Sequence, residues 1–475
     1  MSDELKRRRH SKGSAGRAER INRAGGRAAI ADRPQVSPSR RSAFEILKRV
    51  NEEGAYASVL LASMPEGALS PEDRRLVYEL TLGVLRRQST LDYFIARYSK
   101  RPVDKIDLPV LIALRLGVYQ LRFLSRIPPS AAVNESVSLV KQSRTRSAAG
   151  LVNAVLRKAS TNIDEEPGAS VSDPTDRLSI ECSHPRWMIE RWIAQFGVKE
   201  AEELARANIS AAPLAFRVNV LRGGEASIVK AIDDLPGISR SSIAAGAYLL
   251  DGSVPEILTR PAEEGLIYFQ DEASQLVSLV LDPQPGESIL DLCASPGSKT
   301  SHIAALSNDR STIVACDVHR HRVATLASTC RRLGVRSVLA LACDATLALP
   351  FSEETVFDRA LVDAPCSGTG TLRQNPEIKW RLQPEDIQRL AGTQSLLLEQ
   401  AARVLRRGGT LVYSTCSIEA EEDESVVADF LNRHGEFESV SPDVPSSLLT
   451  PEGFVRTLPH RHGCDGFFVA VMRKC

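Results

Sequence analysis

From Gly286 onward the chain alternates short apolar runs with segments of helical period, and this alternation restricts the fold more than any other feature. Ser288–Ala294, Thr312–Val318, Ser337–Cys343, Phe357–Asp363 and Thr410–Ser414 each read as a strand. Helical patterns at 299–307, 320–333, 384–406 and 424–434 separate them. Strands that alternate with helices build a mostly parallel sheet covered on both faces. Ligands of such sheets sit beyond the carboxyl ends of the strands. The residues that follow each strand are therefore the ones to read for chemistry.

The 475 residues exceed one ordinary core, and the pattern before 286 is different. From 40 to 160 apolar residues recur at helical spacing, as in Ala43, Phe44, Ile46, Leu47 and Val50, which predicts an all-α bundle. Ser70 before Pro71, Glu72 and Asp73 is a helix start. The most apolar stretch, 108–124, carries Arg115 and Arg122 and reads as a core helix. A polar linker at 161–172 leads to a connecting α+β region over 173–285, with a helix at 187–196 and a strand at 215–220. Trp187 and Trp192 read as core anchors there, and His184 has no metal-ligating partner at useful spacing. The ligand-binding part of the chain would be 286–475.

Residues 1–41 hold twelve Lys or Arg against four Asp or Glu, a net +8, so the rest of the chain is net −7. The segment 1–39, rich in Arg, Ser, Gly and Ala, is expected to be a disordered basic arm able to hold nucleic-acid phosphates or simply to be solvated. No apolar run reaches the ~20 residues of a membrane span, and the first residues do not make a secretory signal. The nine cysteines form no CxxC pair. This argues against a disulfide framework and against a metal site, and fits the cytoplasm.

The first strand runs into Asp291-Leu292-Cys293-Ala294-Ser295-Pro296-Gly297-Ser298-Lys299-Thr300, a tight turn that is neither GxGxxG nor a phosphate loop. The second ends at Asp317, placed to hold ribose hydroxyls, and the third at Cys343-Asp344. Together these suggest a nucleoside pocket. The fourth strand ends in Asp363-Ala364-Pro365-Cys366-Ser367-Gly368-Thr369-Gly370 and the fifth in Ser414-Thr415-Cys416-Ser417. In a parallel sheet both thiols project into one cleft.

Those two cysteine motifs, with the Pro-Gly-x-Lys-Thr turn, resemble the RNA cytosine-5 methyltransferases, and within them the Sun/RsmB type that acts on small-subunit (16S) ribosomal RNA. Phe269–Gln275, Asn375–Trp380 and His462–Phe468 add to the likeness, and 129–137 and 150–157 resemble the last helices of the NusB-type RNA-binding domain. The resemblance spans about Arg40 to Lys474. It implies a Rossmann-like core, S-adenosyl-L-methionine as cofactor, ribosomal RNA as partner, and a monomer. It makes Cys416 the nucleophile and Cys366 the residue that assists product release, with Asp363 facing the target base. Cys293, Ala294, Ser295, Pro296, Gly297, Ser298, Lys299, Asp317, Asp344 and Asp363 would hold the cofactor. Ser298 departs from the family turn, which commonly has a second glycine there; serine fits if its φ is negative. Glu419, Glu421, Glu422 and Glu424 are expected to face solvent as acids at a helix N-terminus. Lys141, Arg144, Arg146, Arg157 and Lys158 form a candidate RNA-facing patch. Other readings stay open: an RNA-binding factor on an inactive core, a nucleotide-dependent oxidoreductase, or transfer RNA or large-subunit RNA as substrate.

Overall fold

A computed structural model describes residues 36–475, apart from 66, 224, 234, 253, 255 and 353–355. The basic arm expected from the sequence lies outside the described residues as far as 35. Its last residues do not belong to an arm, because Pro38 opens a helix and Val36 and Ser39 are buried.

Seven helices form the N-terminal bundle: α1 (Pro38–Glu52), α2 (Ala57–Ala62), α3 (Pro71–Arg86), α4 (Gln88–Ser99), α5 (Leu108–Phe123), α6 (Pro129–Lys141) and α7 (Ala149–Thr161). Ser70 caps α3 by accepting from the Asp73 amide at 3.1 Å. Helix α5 is the apolar stretch seen in the sequence and is buried almost all round. Its Arg115 is tolerated because Asp92 of α4 accepts two hydrogen bonds from it, at 2.8 and 2.7 Å. Glu135 accepts from the Ser37 amide and pairs with Arg40, so it ties the bundle together.

The connecting region has two parts. Helices α8 (Pro174–Glu181), α9 (Arg186–Phe196) and α10 (Val198–Asn208) bury Trp192, with His184 edge-on to it at 5.2 Å. Their core includes Leu372, Ile418 and Leu458 from the far end of the chain. The second part is a four-stranded antiparallel sheet in the order β2-β3-β1-β4. It is built from β1 (Leu214–Val218), α11 (Glu225–Asp233), β2 (Ile238–Arg240), β3 (Ala247–Leu250), α12 (Glu256–Glu263) and β4 (Ile267–Phe269). The sequence pattern showed only the first of these strands, since the others are three or four residues long.

The C-terminal core opens with α13 (Glu272–Leu281), ahead of Gly286, and its Ala273, Leu276, Val277 and Leu281 share a cluster with Ile289, Ile303 and Ile313. Then come β5 (Ser288–Asp291), α14 (Ser298–Leu306), β6 (Thr312–Asp317), α15 (Arg320–Arg332), β7 (Val338–Ala342), β8 (Phe357–Asp363), α16 (Ile378–Arg381), α17 (Pro384–Val404), β9 (Leu405–Thr415) and α18 (Glu424–Arg433). They are followed by β10 (Phe437–Val440), β11 (Val455–Thr457), α19 (Pro459–His462) and β12 (Phe467–Lys474). The sheet order is β10-β12-β9-β8-β5-β6-β7, with β11 on β12. Strands β5 to β9 pair in parallel, and β10 to β12 add antiparallel pairs that the alternating pattern did not reveal. After β5 the chain winds outward through β6 and β7, then returns to β8 on the other side. The carboxyl end of β5 and β8 is thus the switch point where such sheets bind ligands.

Helix α16 fastens this core to the bundle. Lys379 Nζ donates to the Arg86 carbonyl at 2.8 Å and Trp380 Nε1 to that of Leu85 at 2.9 Å. Arg381 donates to the carbonyls of Val50, Gly54 and Ala55 at 2.7, 2.8 and 2.7 Å. Losing such a group leaves its acceptors short of partners, at a cost of about 1–3 kcal/mol. Arg381→Ala is therefore expected to lower the urea midpoint without changing the slope of the transition; an unchanged midpoint would mean that the latch contributes nothing to stability.

Candidate active site

The turn after β5 is shaped by Gly297, whose φ of +96° puts it in the left-handed region. A Cβ there would lie 2.9 Å from Leu326 Cδ1, so any side chain would also push that leucine of α15 aside. Ser298 is the first residue of α14 and is not among the positive-φ residues, so the departure from a second glycine is sterically allowed. The Ser295–Pro296 bond is cis. Thr300 Oγ1 donates to Asp291 at 2.7 Å.

Asp317, at the end of β6, accepts from the His319 amide at 3.0 Å and pairs with Arg322 at 3.3 Å. Arg322 also donates to the Ser295 carbonyl at 3.3 Å, which draws the turn toward that acid. Asp344 follows β7, is exposed, and accepts from the Thr346 amide and hydroxyl at 3.0 and 2.6 Å. Hydrogen bonding to Thr346 holds it below the ordinary carboxylate value. The turn and these acids line the carboxyl edge of β5, β6 and β7. A tight glycine turn beside acids at two strand ends fits a nucleoside cofactor.

On the other side of β5, Asp363 ends β8 and accepts from Lys299 Nζ at 2.8 Å and Ser414 Oγ at 2.9 Å. Burial works against the Lys299 charge, but the Asp363 carboxylate outweighs it and holds the ammonium above its ordinary value, with Cys416 contributing in the same direction. The Phe467 ring lies 5.2 Å from that ammonium. Cys366 and Cys416, both half-buried, face each other with their sulfurs 3.3 Å apart. The two cysteine loops are stitched by the Gly370 amide to the Cys416 carbonyl at 2.9 Å and by the Ile418 amide to Thr369 Oγ1 at 3.1 Å. Gly466 donates to the Gly370 carbonyl at 2.8 Å, and a Cβ on Gly370 would come within 2.0 Å of the Gly466 carbonyl oxygen. Both positions need glycine for this approach. The structure thus gathers every residue expected in the site along one edge. No group of three or more potential metal ligands occurs among the described residues.

A family model described as 16S rRNA methyltransferase RsmB/F matches residues 278–473. A NusB family model matches 37–161, and a ferredoxin-like domain model of RsmF/B-like methyltransferases matches 184–251. A probable ribosomal RNA small subunit methyltransferase B of Bacillus subtilis is 35% identical over 449 residues, covering 91% of this chain and 98% of the relative. The ribosomal RNA small subunit methyltransferase B of Escherichia coli O6:K15:H31 is 32% identical, over 92% and 98% of the two chains. The crystal structure of PH0851 matches with a TM-score of 0.79 at 29% identity, over 92% of this chain and 98% of that one. A methyltransferase homolog protein from Pyrococcus horikoshii gives 0.56 at 30% identity, over 64% and 100%.

The chain belongs to the RsmB/F methyltransferase family. It is an S-adenosylmethionine-dependent rRNA methyltransferase, with a NusB domain and a ferredoxin-like region ahead of its catalytic core. No helix among the described residues of this methyltransferase is long and apolar enough to cross a membrane.

Two sets of site residues escaped the sequence reading. Glu419 and Glu422 do not face solvent: both are fully buried, as is Asp423, and α18 begins only at Glu424. The reason is that each finds donors inside. Glu419 pairs with Arg191 of α9 at 2.9 Å, and Asp423 pairs with Arg456 at 2.9 Å and accepts from Thr415 Oγ1 at 2.6 Å. Only Glu421 and Glu424 keep partial exposure. The second set is Asp271 and Asp465, inside two of the motifs that carried the resemblance. Asp271 caps α13 through the Ala273 amide at 2.9 Å and accepts from the Asp465 amide at 3.3 Å, while Gln374 Nε2 donates to Asp465 at 2.8 Å. A cluster of acids at short spacing was the available signal, but spacing does not tell a buried acid from a solvated one.

Burial pushes the Asp291 carboxyl up to about 7. Folding thus favours its neutral form, so its contribution to stability is full below about pH 4 and is lost as pH rises through about 7. Asp291→Asn keeps the neutral shape at every pH. Scanning calorimetry between pH 5 and 8 is expected to show a smaller fall in Tm for the variant than for the parent, and equal falls would remove Asp291 from the account.

Proposed function

We propose that this methyltransferase modifies carbon 5 of a cytosine in 16S rRNA through a covalent bond between Cys416 and carbon 6 of the base. The observation that carries the reading is the pair of thiols 3.3 Å apart at the ends of β8 and β9, beside the Lys299–Asp363 ion pair. Carbon 5 of cytosine is too weak a nucleophile to take a methyl group unaided. Addition of a thiolate at carbon 6 makes carbon 5 enamine-like, which splits one hard step into easier ones.

Cys293, Ala294, Ser295, Pro296, Gly297, Ser298, Lys299, Asp317, Asp344 and Asp363 are the residues to hold S-adenosylmethionine. When bound, that cofactor supplies an electrophilic sulfonium methyl. Asp363, oriented by Lys299 and Ser414, presents a carboxyl oxygen to the base. A base must then take the carbon 5 proton, whose electron pair restores the carbon 5–carbon 6 double bond and expels the Cys416 thiolate, and Cys366 assists that release. The target base must leave its stack to reach a half-buried thiol, so a single-stranded or loop cytosine is the substrate. The NusB domain and the connecting region position the RNA, with exposed Lys141, Arg144, Arg146, Arg157 and Lys158 available for phosphates. The protein acts as a monomer in the cytoplasm.

The test combines the purified chain, unmodified 16S rRNA and radiolabelled S-adenosylmethionine. Cys416→Ala is expected to lose transfer by more than about a thousandfold. Cys366→Ala is expected to accumulate a protein–RNA adduct on a denaturing gel. Transfer by Cys416→Ala would overturn the nucleophile assignment. No transfer by the parent to any RNA would favour an RNA-binding factor on an inactive core.

A further inference from the structure

Glu422 is a fully buried carboxylate, and its surroundings differ from those of the acids beside it. Glu419 and Asp423 each have an arginine partner. Glu422 takes neutral donors instead. Its Oε1 accepts from the Ser367 amide at 2.9 Å and from Gln394 Nε2 at 2.9 Å. Its Oε2 accepts from Ser417 Oγ at 2.7 Å and from Ser367 Oγ. Ser367 follows Cys366 directly and Ser417 follows Cys416 directly. One carboxylate therefore grips the residue next to each thiol. It is braced in turn by Tyr413, whose hydroxyl donates to the Glu422 carbonyl, and by Gln394, which also accepts from that hydroxyl at 3.0 Å.

We propose that Glu422 is the positioning residue of the cysteine pair, clamping the loop after β8 to the loop after β9 and thereby setting which thiol attacks. The proposal rests on the two-cysteine reading above. Glu422 reaches both loops, through Ser367 and Ser417, while Lys299 is engaged by Asp363 at the end of β8. A hydrogen bond to Cys416, burial and the Glu422 charge all hold the Cys366 thiol well above its ordinary value. Burial and the neighbouring charge thus favour the protonated form of Cys366, which across 3.3 Å can donate its S–H to the Cys416 sulfur. A neutral amide in place of Glu422 removes the charge that acts on the Cys366 thiol, and it holds the two serine hydroxyls only if they turn round to accept from its NH2.

The test uses the full chain and needs neither RNA nor cofactor for its first readout. The parent, Glu422→Gln and Ser417→Ala are treated with iodoacetamide from pH 6 to 10, and mass spectrometry follows alkylation of each cysteine. In the parent Cys416 is expected to react faster than Cys366. In Glu422→Gln that ratio is expected to narrow about tenfold or more, with Cys366 reacting at lower pH. The second readout is single-turnover methylation, expected to fall about ten- to hundredfold in Glu422→Gln with cofactor affinity unchanged. If a folded Glu422→Gln keeps the parental ratio and pH profile, the proposal is overturned. If Glu422→Gln does not fold, Ser417→Ala decides, because it removes one hydroxyl and keeps the carboxylate. A three- to tenfold slower turnover supports the clamp, and an unchanged rate overturns it. A shifted alkylation pattern in a parent that methylates no RNA would sustain the clamp and sink the cytosine reading instead.

Discussion

The chemistry of this molecule depends on one constraint: β8, β5 and β9 are parallel neighbours, so their carboxyl ends open on a single edge. Pairing of Asp363 with Ser414 in the β8–β9 register sets Cys366 and Cys416 on loops that leave the sheet side by side. Lys299 reaches the same edge from the first turn of α14, because the turn after β5 is short and Gly297 lets α15 pack beneath it. A parallel sheet with its switch point at β5 gives the turn after β5 and the cysteine pair a common boundary.

Charge on that edge is managed by burial and pairing. Lys299 and Asp363 neutralise each other, the ammonium largely buried and the carboxylate partly exposed, where an isolated buried charge would be costly. Glu422 has no such counter-ion and is satisfied by four neutral donors. A buried carboxylate held this way rigidifies what it touches, since loss of any donor leaves a lone pair unmet. What it touches is both thiol-bearing loops.

The same stretch of chain that carries Cys366 continues through Gly370 and Arg373 into α16, the latch on the bundle. Arg86 of α3 donates to the Arg373 carbonyl at 2.9 Å, and Glu377 accepts from the Ala57 amide at 2.7 Å. The NusB bundle and the stretch that follows Cys366 are therefore joined through Arg373, Glu377, Lys379, Trp380 and Arg381, each hydrogen-bonded to the bundle. Helices α8 to α10 close the opposite side, with Arg191 and Trp192 both directed at Glu419.

Much of this was written in local sequence. Apolar runs of strand length separated by helical periods determined the parallel core, because a strand buried on both faces leaves a continuous apolar signature. The two cysteine motifs and the Pro-Gly turn were legible because each stands directly after an apolar run of strand length. Strands β2, β3, β4, β10 and β11 were not legible because three or four residues are too few to show a period, and β12 finds its partners β9 and β10 well back along the chain. Nor was the fate of the acids after Cys416. A glutamate at a helix start and a glutamate clamped between two loops have identical local spacing. Only the tertiary structure, by bringing Ser367, Gln394 and Arg191 to that spot, decided which carboxylates would be buried and which would face water.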